Sequence, residues 1–155
     1  VPIFLKIAPD LDEHALDDIT SIVKATDLDG MIVSNTTTSR AAVTDLQHAS
    51  EAGGLSGKPL FNLATQKLAQ VRLRVGPDLP LIGVGGVHSA ETALAKIEAG
   101  ANAIQLYSAL VFCGLGLLDE IKQGLTQSVK RVRARNISDF VGRSAQDWAA
   151  GKLQL

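Results

Sequence analysis

LIGVGGVHSAETALAKIEAGANAIQLY, residues 81–107, reads as a complete strand–helix–strand unit. The apolar run 81–84 is short and rich in branched side chains, as a buried strand requires, and it stops at Gly85-Gly86. Ser89 then opens a helix as its N-cap, with Glu91 beside the positive end of the helix and Gly100 just past its last turn. A second β-rich run follows at 103–107. The link between helix and strand is only a few residues long, so the two strands are expected to lie parallel with the helix packed across them.

The same alternation extends toward the N-terminus. Residues 3–7 and 30–34 read as two further strands, and 12–25 as a helix with Leu16, Ile19, Ile22 and Val23 on its apolar stripe and Asp12 as N-cap. Residues 62–75 predict another helix, with Leu63, Leu68, Val71 and Leu73 as its apolar set. Beyond the quoted unit, 117–133 predicts a helix and 141–150 a short helical tail. Four strands, each followed by a helix, define an α/β fold with a parallel sheet. Four such units make half of an eight-stranded (β/α)8 barrel or a small doubly wound sheet. No G-x-G-x-x-G turn follows the first strand, as a dinucleotide-binding sheet would need, so the half barrel is favoured.

Composition sets the outer bounds. At 155 residues, 46% hydrophobic and 20% charged, the chain is one globular domain with a real core. A net charge of −1 gives no electrostatic footprint for nucleic acid; the basic run Lys130, Arg131, Arg133 and Arg135 reads as a solvated helix face. Cys113 is the only cysteine, which excludes an internal disulfide and a cysteine-based zinc site. His14, His48 and His88 are far apart in sequence, so no metal site is expected. No stretch approaches the roughly 20 apolar residues that span a bilayer. The chain opens at Val1 directly on an apolar run, which reads as a piece of a longer chain.

One connection is unusual. About twenty-five residues separate Asn35 from the helix near Asn62, against the usual ~2–6 for a βα loop. Barrel enzymes keep their chemistry in such loops at the C-terminal ends of strands. Inside it lies GGLSGKPL, residues 53–60. It is no Walker A loop: the position that needs glycine holds Ala52, and Pro59 stands where a magnesium-binding hydroxyl belongs. Gly53, Gly54 and Gly57 with Ser56 are compatible with either an ordinary tight loop or a nest of backbone N–H groups for an anion.

Three further features carry possible chemistry. Lys6 lies in a strand expected to be covered on both sides, which suits a lysine facing a ligand or an acid, or one reaching water from the strand mouth. Residues 34–40, Ser-Asn-Thr-Thr-Thr-Ser-Arg, contain no apolar side chain. They match a small polar ring with carbonyls and N–H groups, or a loop that bonds its own backbone. Gly85-Gly86 and the segment 105–109, Gln-Leu-Tyr-Ser-Ala, end the last two strands, where barrels frequently bind phosphate.

These residues together resemble the dihydroorotate dehydrogenases. Lys6-Ile7-Ala8-Pro9-Asp10-Leu11, Ser34-Asn35-Thr36-Thr37 with Ser39-Arg40, Gly53 to Leu60, Ile82-Gly83-Val84-Gly85-Gly86-Val87 and Gln105-Leu106-Tyr107 resemble family motifs in the family's order. The Lys-Ile-Ala-Pro-Asp-Leu and Gly-Lys-Pro-Leu forms are similar to the membrane-associated, quinone-using class. The resemblance implies a flavin mononucleotide (FMN) barrel of which residues 1–155 are the C-terminal half, with the N-terminal half as partner. It implies oxidation of dihydroorotate to orotate in pyrimidine synthesis, with a quinone as acceptor. It further implies that Lys6 sits at the N1–O2 edge of the flavin and that Ser34 contacts the ring. Asn35 and Thr36 then bind the substrate, while Gly57, Gly85, Gly86, Leu106, Tyr107 and Ser108 bind phosphate and ribityl. The general-base serine and the quinone entrance of this class belong to the other half, and the parent is expected to sit peripherally on the inner (cytoplasmic) membrane while this piece is soluble and inactive alone. Two other readings stay open. One is a lyase using Lys6 as a Schiff-base nucleophile, and the other a non-catalytic half barrel serving as an interaction unit.

Overall fold

The computed structural model describes residues 1–44 and 49–155; His48 of the histidine set lies outside them. Four strands, β1 (Phe4–Ile7), β2 (Gly30–Val33), β3 (Leu81–Val84) and β4 (Ala103–Gln105), form one sheet in the order β1-β2-β3-β4. Every pairing is parallel, with Leu5 opposite Met31, Met31 opposite Leu81 and Gly83 opposite Ile104. Chain order and sheet order coincide, as in one half of a closed barrel.

The helices are α1 (Glu13–Lys24), α2 (Phe61–Val75), α3 (Ala90–Ala99), α4 (Ser108–Cys113), α5 (Gly116–Arg131) and α6 (Ala145–Ala149), with single 3-10 turns at Lys58–Leu60 and Ile137–Phe140. The expected caps are present. The Asp12 side chain accepts from the Ala15 amide, and Ser89 and Thr92 cap each other reciprocally at the start of α3. Gly100 ends α3 at φ +127, a conformation open to glycine.

Side chains alternate along each strand, so the two sheet faces differ. Ile7, Met31, Val33 and Leu81 point into a core shared with Leu16, Val23, Phe61, Leu68, Val71 and Trp148. Phe4, Lys6, Ile32, Ile82 and Gln105 point the other way, and none of them is buried. Helices therefore cover one face and leave the other open. The expected cover on both sides of the Lys6 strand is not present within residues 1–155, where helices pack only on the face opposite Lys6.

Two helix faces also differ from expectation. On α2 the inward face is Phe61, Ala64, Leu68 and Val71, while Leu73 is half exposed. Leu63 and Leu73 do not share the 3-and-4 spacing of that stripe, whereas Arg72 does and is buried. On α1, Ile22 points to solvent beside the buried Val23. The Arg72 guanidinium donates to the carbonyls of Gly100 and Leu79 and to Asn102 Oδ1, and Asn102 in turn accepts from the Leu81 amide at 2.9 Å. Arg72 so ties α2 to the loop that enters β3 and to the loop that enters β4.

The open face and the unpaired edges of β1 and β4 have a physical consequence. Exposed parallel edges seek partners, and Ile3, Val111, Phe112 and Leu115 add exposed apolar surface. The purified 155-residue chain is expected to self-associate, its mean sedimentation coefficient rising with concentration. A concentration-independent monomer across the micromolar range would contradict this.

Candidate active site

The C-terminal ends of all four strands and the long connection after β2 meet at one cavity of about 740 Å³, within the ~300–1,000 Å³ span of small-molecule sites. β1 contributes Lys6. Just past the end of β2 come Ser34, Asn35 and Thr36, and the turn after β3 provides Gly85 and Gly86. Gly57 enters from the long connection, and Leu106, Tyr107 and Ser108 from the junction of β4 with α4. All ten residues singled out in the sequence therefore line the same cavity.

The segment after β2 is stitched into place by backbone bonds. The Ser34 amide donates to Val84 O at 3.3 Å and the Asn35 amide to Ile7 O at 2.8 Å, so this turn is held from both neighbouring strands. The Val33–Ser34 peptide is cis. Ser34 is buried and its hydroxyl donates to Asn35 O. Asn35 and Thr36 are exposed to the cavity. Lys6 is exposed too, and among the described residues its ammonium has neither a hydrogen bond nor an ion-pair partner.

The glycines divide into two kinds. Gly86, at φ +76, backs onto the first residue of α2: a Cβ there would stand 2.5 Å from Phe61 Cβ and 2.6 Å from its Cα. That turn needs glycine in order to pack. Gly57, at φ +75, is different, because a Cβ would meet nothing nearer than Ser108 Cβ at 3.9 Å. A side chain at Gly57 would instead intrude beside the Ser56 and Ser108 hydroxyls, which lie 3.0 Å apart.

Several lining residues escaped the sequence reading as site members. Ser56 and Lys58 stood inside the quoted glycine run, so that signal was present. His88 lines the cavity two residues beyond Gly86, its ring nitrogen Nδ1 2.7 Å from Gly86 O. Phe112 and Cys113 belong to α4, a helix of six residues with no buried side chain and hence no periodic signal. Among the described residues there is no cluster of His, Cys, Asp and Glu able to hold a metal ion.

The family model for dihydroorotate dehydrogenase matches residues 1–129. The chain belongs to the dihydroorotate dehydrogenase family. Similar curated proteins include the dihydroorotate dehydrogenase (quinone) of Brucella melitensis biotype 2, 54% identical over 152 residues covering 98% of this chain and 42% of that protein. The Brucella ovis protein of the same name is 53% identical over the same shares. Among solved structures, the ligand-free dihydroorotate dehydrogenase of Eimeria tenella superposes with a TM-score of 0.86 at 31% identity, over 91% of this chain and 39% of that one. The Eimeria tenella enzyme in complex with ferulenol gives 0.87 at 31% identity, over 92% and 38%. The chain thus spans about two-fifths of the length of the dihydroorotate dehydrogenases it matches, and its four βα units are part of their barrel. Membership in this family sets the lyase reading of Lys6 aside.

Proposed function

We propose that the protein containing this chain oxidises dihydroorotate to orotate in pyrimidine synthesis, with FMN as its flavin and a quinone as final acceptor, and that residues 1–155 supply the C-terminal half of its barrel. The observation that carries this reading is the convergence of Lys6, Ser34–Thr36, Gly57, Gly85–Gly86 and Leu106–Ser108 on one cavity from separate segments of the chain. The names of the Brucella relatives support the quinone.

The residues present fit FMN. Gly57 leaves open the space beside paired hydroxyls that a side chain would fill, a suitable cradle for a phosphate. Lys6 supplies an uncompensated positive charge at the cavity wall. Gly57, Gly85, Gly86, Leu106, Tyr107 and Ser108 would hold phosphate and ribityl, and Lys6 and Ser34 the ring. When bound, FMN supplies the acceptor for the hydride that leaves the substrate. Asn35 and Thr36 orient the substrate ring through its carbonyl and N–H groups. Lys6 holds its charge where negative charge develops during the reaction. The proton that leaves with the hydride passes to a base outside this chain, a serine of the other half barrel. In the same reading the quinone enters through an N-terminal segment that also seats the protein peripherally on the inner (cytoplasmic) membrane. Among the described residues no helix is long and apolar enough to cross a membrane.

The test is spectroscopic. The purified full-length protein is expected to be yellow, to bleach anaerobically on adding dihydroorotate, and to recover its colour on adding a quinone. A colourless protein that cannot be reconstituted with FMN overturns the cofactor. A flavin spectrum indifferent to dihydroorotate overturns the substrate.

A further inference from the structure

We propose that Asp10 is a positioning residue for the substrate: it grips Thr37 and Thr38 and thereby fixes how Asn35 and Thr36 face the cavity. This rests on the reading above that Asn35 and Thr36 touch the substrate.

Neither Asp10 nor Thr37 lines the cavity. Asp10 stands in the loop between β1 and α1, directly after the fully buried Pro9. Its two carboxylate oxygens take two consecutive donors of the neighbouring loop: the Thr37 hydroxyl donates to Oδ1, and the Thr38 amide donates to Oδ2 at 3.2 Å. Thr37 is only 3% exposed while Asp10 is exposed, so the donor end of this charge-assisted bond is buried and its acceptor end faces solvent. The same hydroxyl accepts from the Ser39 amide at 3.0 Å. A chain of bonds therefore runs from the β1 loop through Thr37 into the residues that follow the cavity wall.

The opposite side of the segment is held as well. Thr37 and Leu55 exchange backbone bonds at 3.2 and 2.8 Å. The Arg40 guanidinium donates to Glu51 O at 2.8 Å and to Gly53 O at 2.7 Å, which closes the long connection on itself. Gly54 presses against Thr36 so closely that a Cβ would stand 2.0 Å from Thr36 Oγ1. The polar loop thus does not merely bond its own backbone. A carboxylate from another βα unit holds it from one side and a folded-back limb from the other, and Asn35 and Thr36 are what this vice presents to the cavity.

The experiment uses the full-length protein and four variants. Thr37→Val keeps the shape and removes the hydroxyl, Thr37→Ser restores it, Asp10→Asn weakens the double acceptor, and Asn35→Ala is the control. Losing one hydrogen bond to a charged group predicts a KM for dihydroorotate and a Kd for orotate raised roughly tenfold to a hundredfold in Thr37→Val and Asp10→Asn. Thr37→Ser stays near wild type, and FMN content and the thermal midpoint change little in all four. A wild-type KM in Thr37→Val beside a raised one in Asn35→Ala overturns the positioning role alone. A wild-type KM in Asn35→Ala overturns the reading of the pocket and the proposal with it. Loss of FMN in step with loss of orotate affinity in Thr37→Val overturns it in favour of a general structural role.

Discussion

Lys6→Ala in the full-length protein is expected to slow dihydroorotate oxidation by about 10²–10³-fold, the scale for removing a preorganised electrostatic donor. The motivating geometry is a lysine at the end of β1, on the sheet face away from the helices, lining the cavity and free of any carboxylate among the described residues. A lysine paired with an acid would have much of its field cancelled; this one has its charge available to the ligand. Asn35 and Thr36, proposed above to hold the substrate, do not bond to Lys6, so KM for dihydroorotate should move far less than the rate. Lys6→Arg keeps the charge but not the compact ammonium and should fall between the two. Stopped-flow mixing with dihydroorotate, followed at the flavin absorbance band, measures the rate. Alanine and wild-type enzymes reacting at equal rates would remove Lys6 from the chemistry.

The second large effect is on folding. Gly86→Ala forces a side chain into the left-handed region at φ +76 and drives its Cβ to within 2.5–2.8 Å of Phe61 Cβ, Cα and N. Left-handed strain costs ~1–2 kcal/mol and overpacking ~1–3 kcal/mol, so a loss of about 2–5 kcal/mol is expected. The colliding atoms include the backbone at the start of α2 and therefore have little room to yield. Gly57→Ala carries the strain without the collision and should lose only ~1–2 kcal/mol, while weakening FMN binding by intruding on the space beside Ser108. Urea midpoints of the two variants, read beside their FMN content, separate the cases. Equal stability losses would mean that Gly86 is not a packing glycine.

Much of this was legible in the sequence because its signals were local. Asp12 and Ser89 announce helix starts by side-chain chemistry, Gly100 announces a stop, and short links between apolar runs and helices fix a parallel sheet. The cavity-lining residues were legible for another reason. They cluster at the C-terminal ends of strands, so finding the strands found the cavity they line, and the roles proposed for them come from resemblance to the family. What the sequence hid was long-range. Nothing local says that Arg72 is buried against Gly100 and Asn102, or that Lys67 reaches Leu11 O at 2.6 Å. Lys96 is the strongest case: fully buried, its ammonium 5.0 Å from the centre of the Phe61 ring and without a hydrogen bond, it is held well below the usual lysine pKa by desolvation. A lysine in the last turn of an ordinary helix reads as solvated until the packing is known. The Asp10–Thr37 bond was invisible for the same reason, since it joins residues of two different loops.

The coincidence of chain order and sheet order bears on chain entropy. From Ile7 to Gly30 and from Val84 to Ala103 the backbone must close short crossovers, whereas from Val33 to Leu81 it closes one roughly twice as long. Closure entropy grows only with the logarithm of loop length, about 0.6 kcal/mol for each doubling. The segment that carries Asn35, Arg40 and Gly57 therefore adds little to the free energy of assembling the sheet. Each strand still finds its partner in the next one along the chain, so the extra length falls on a single crossover, and there the fold accommodates its most elaborate loop at the lowest entropic penalty.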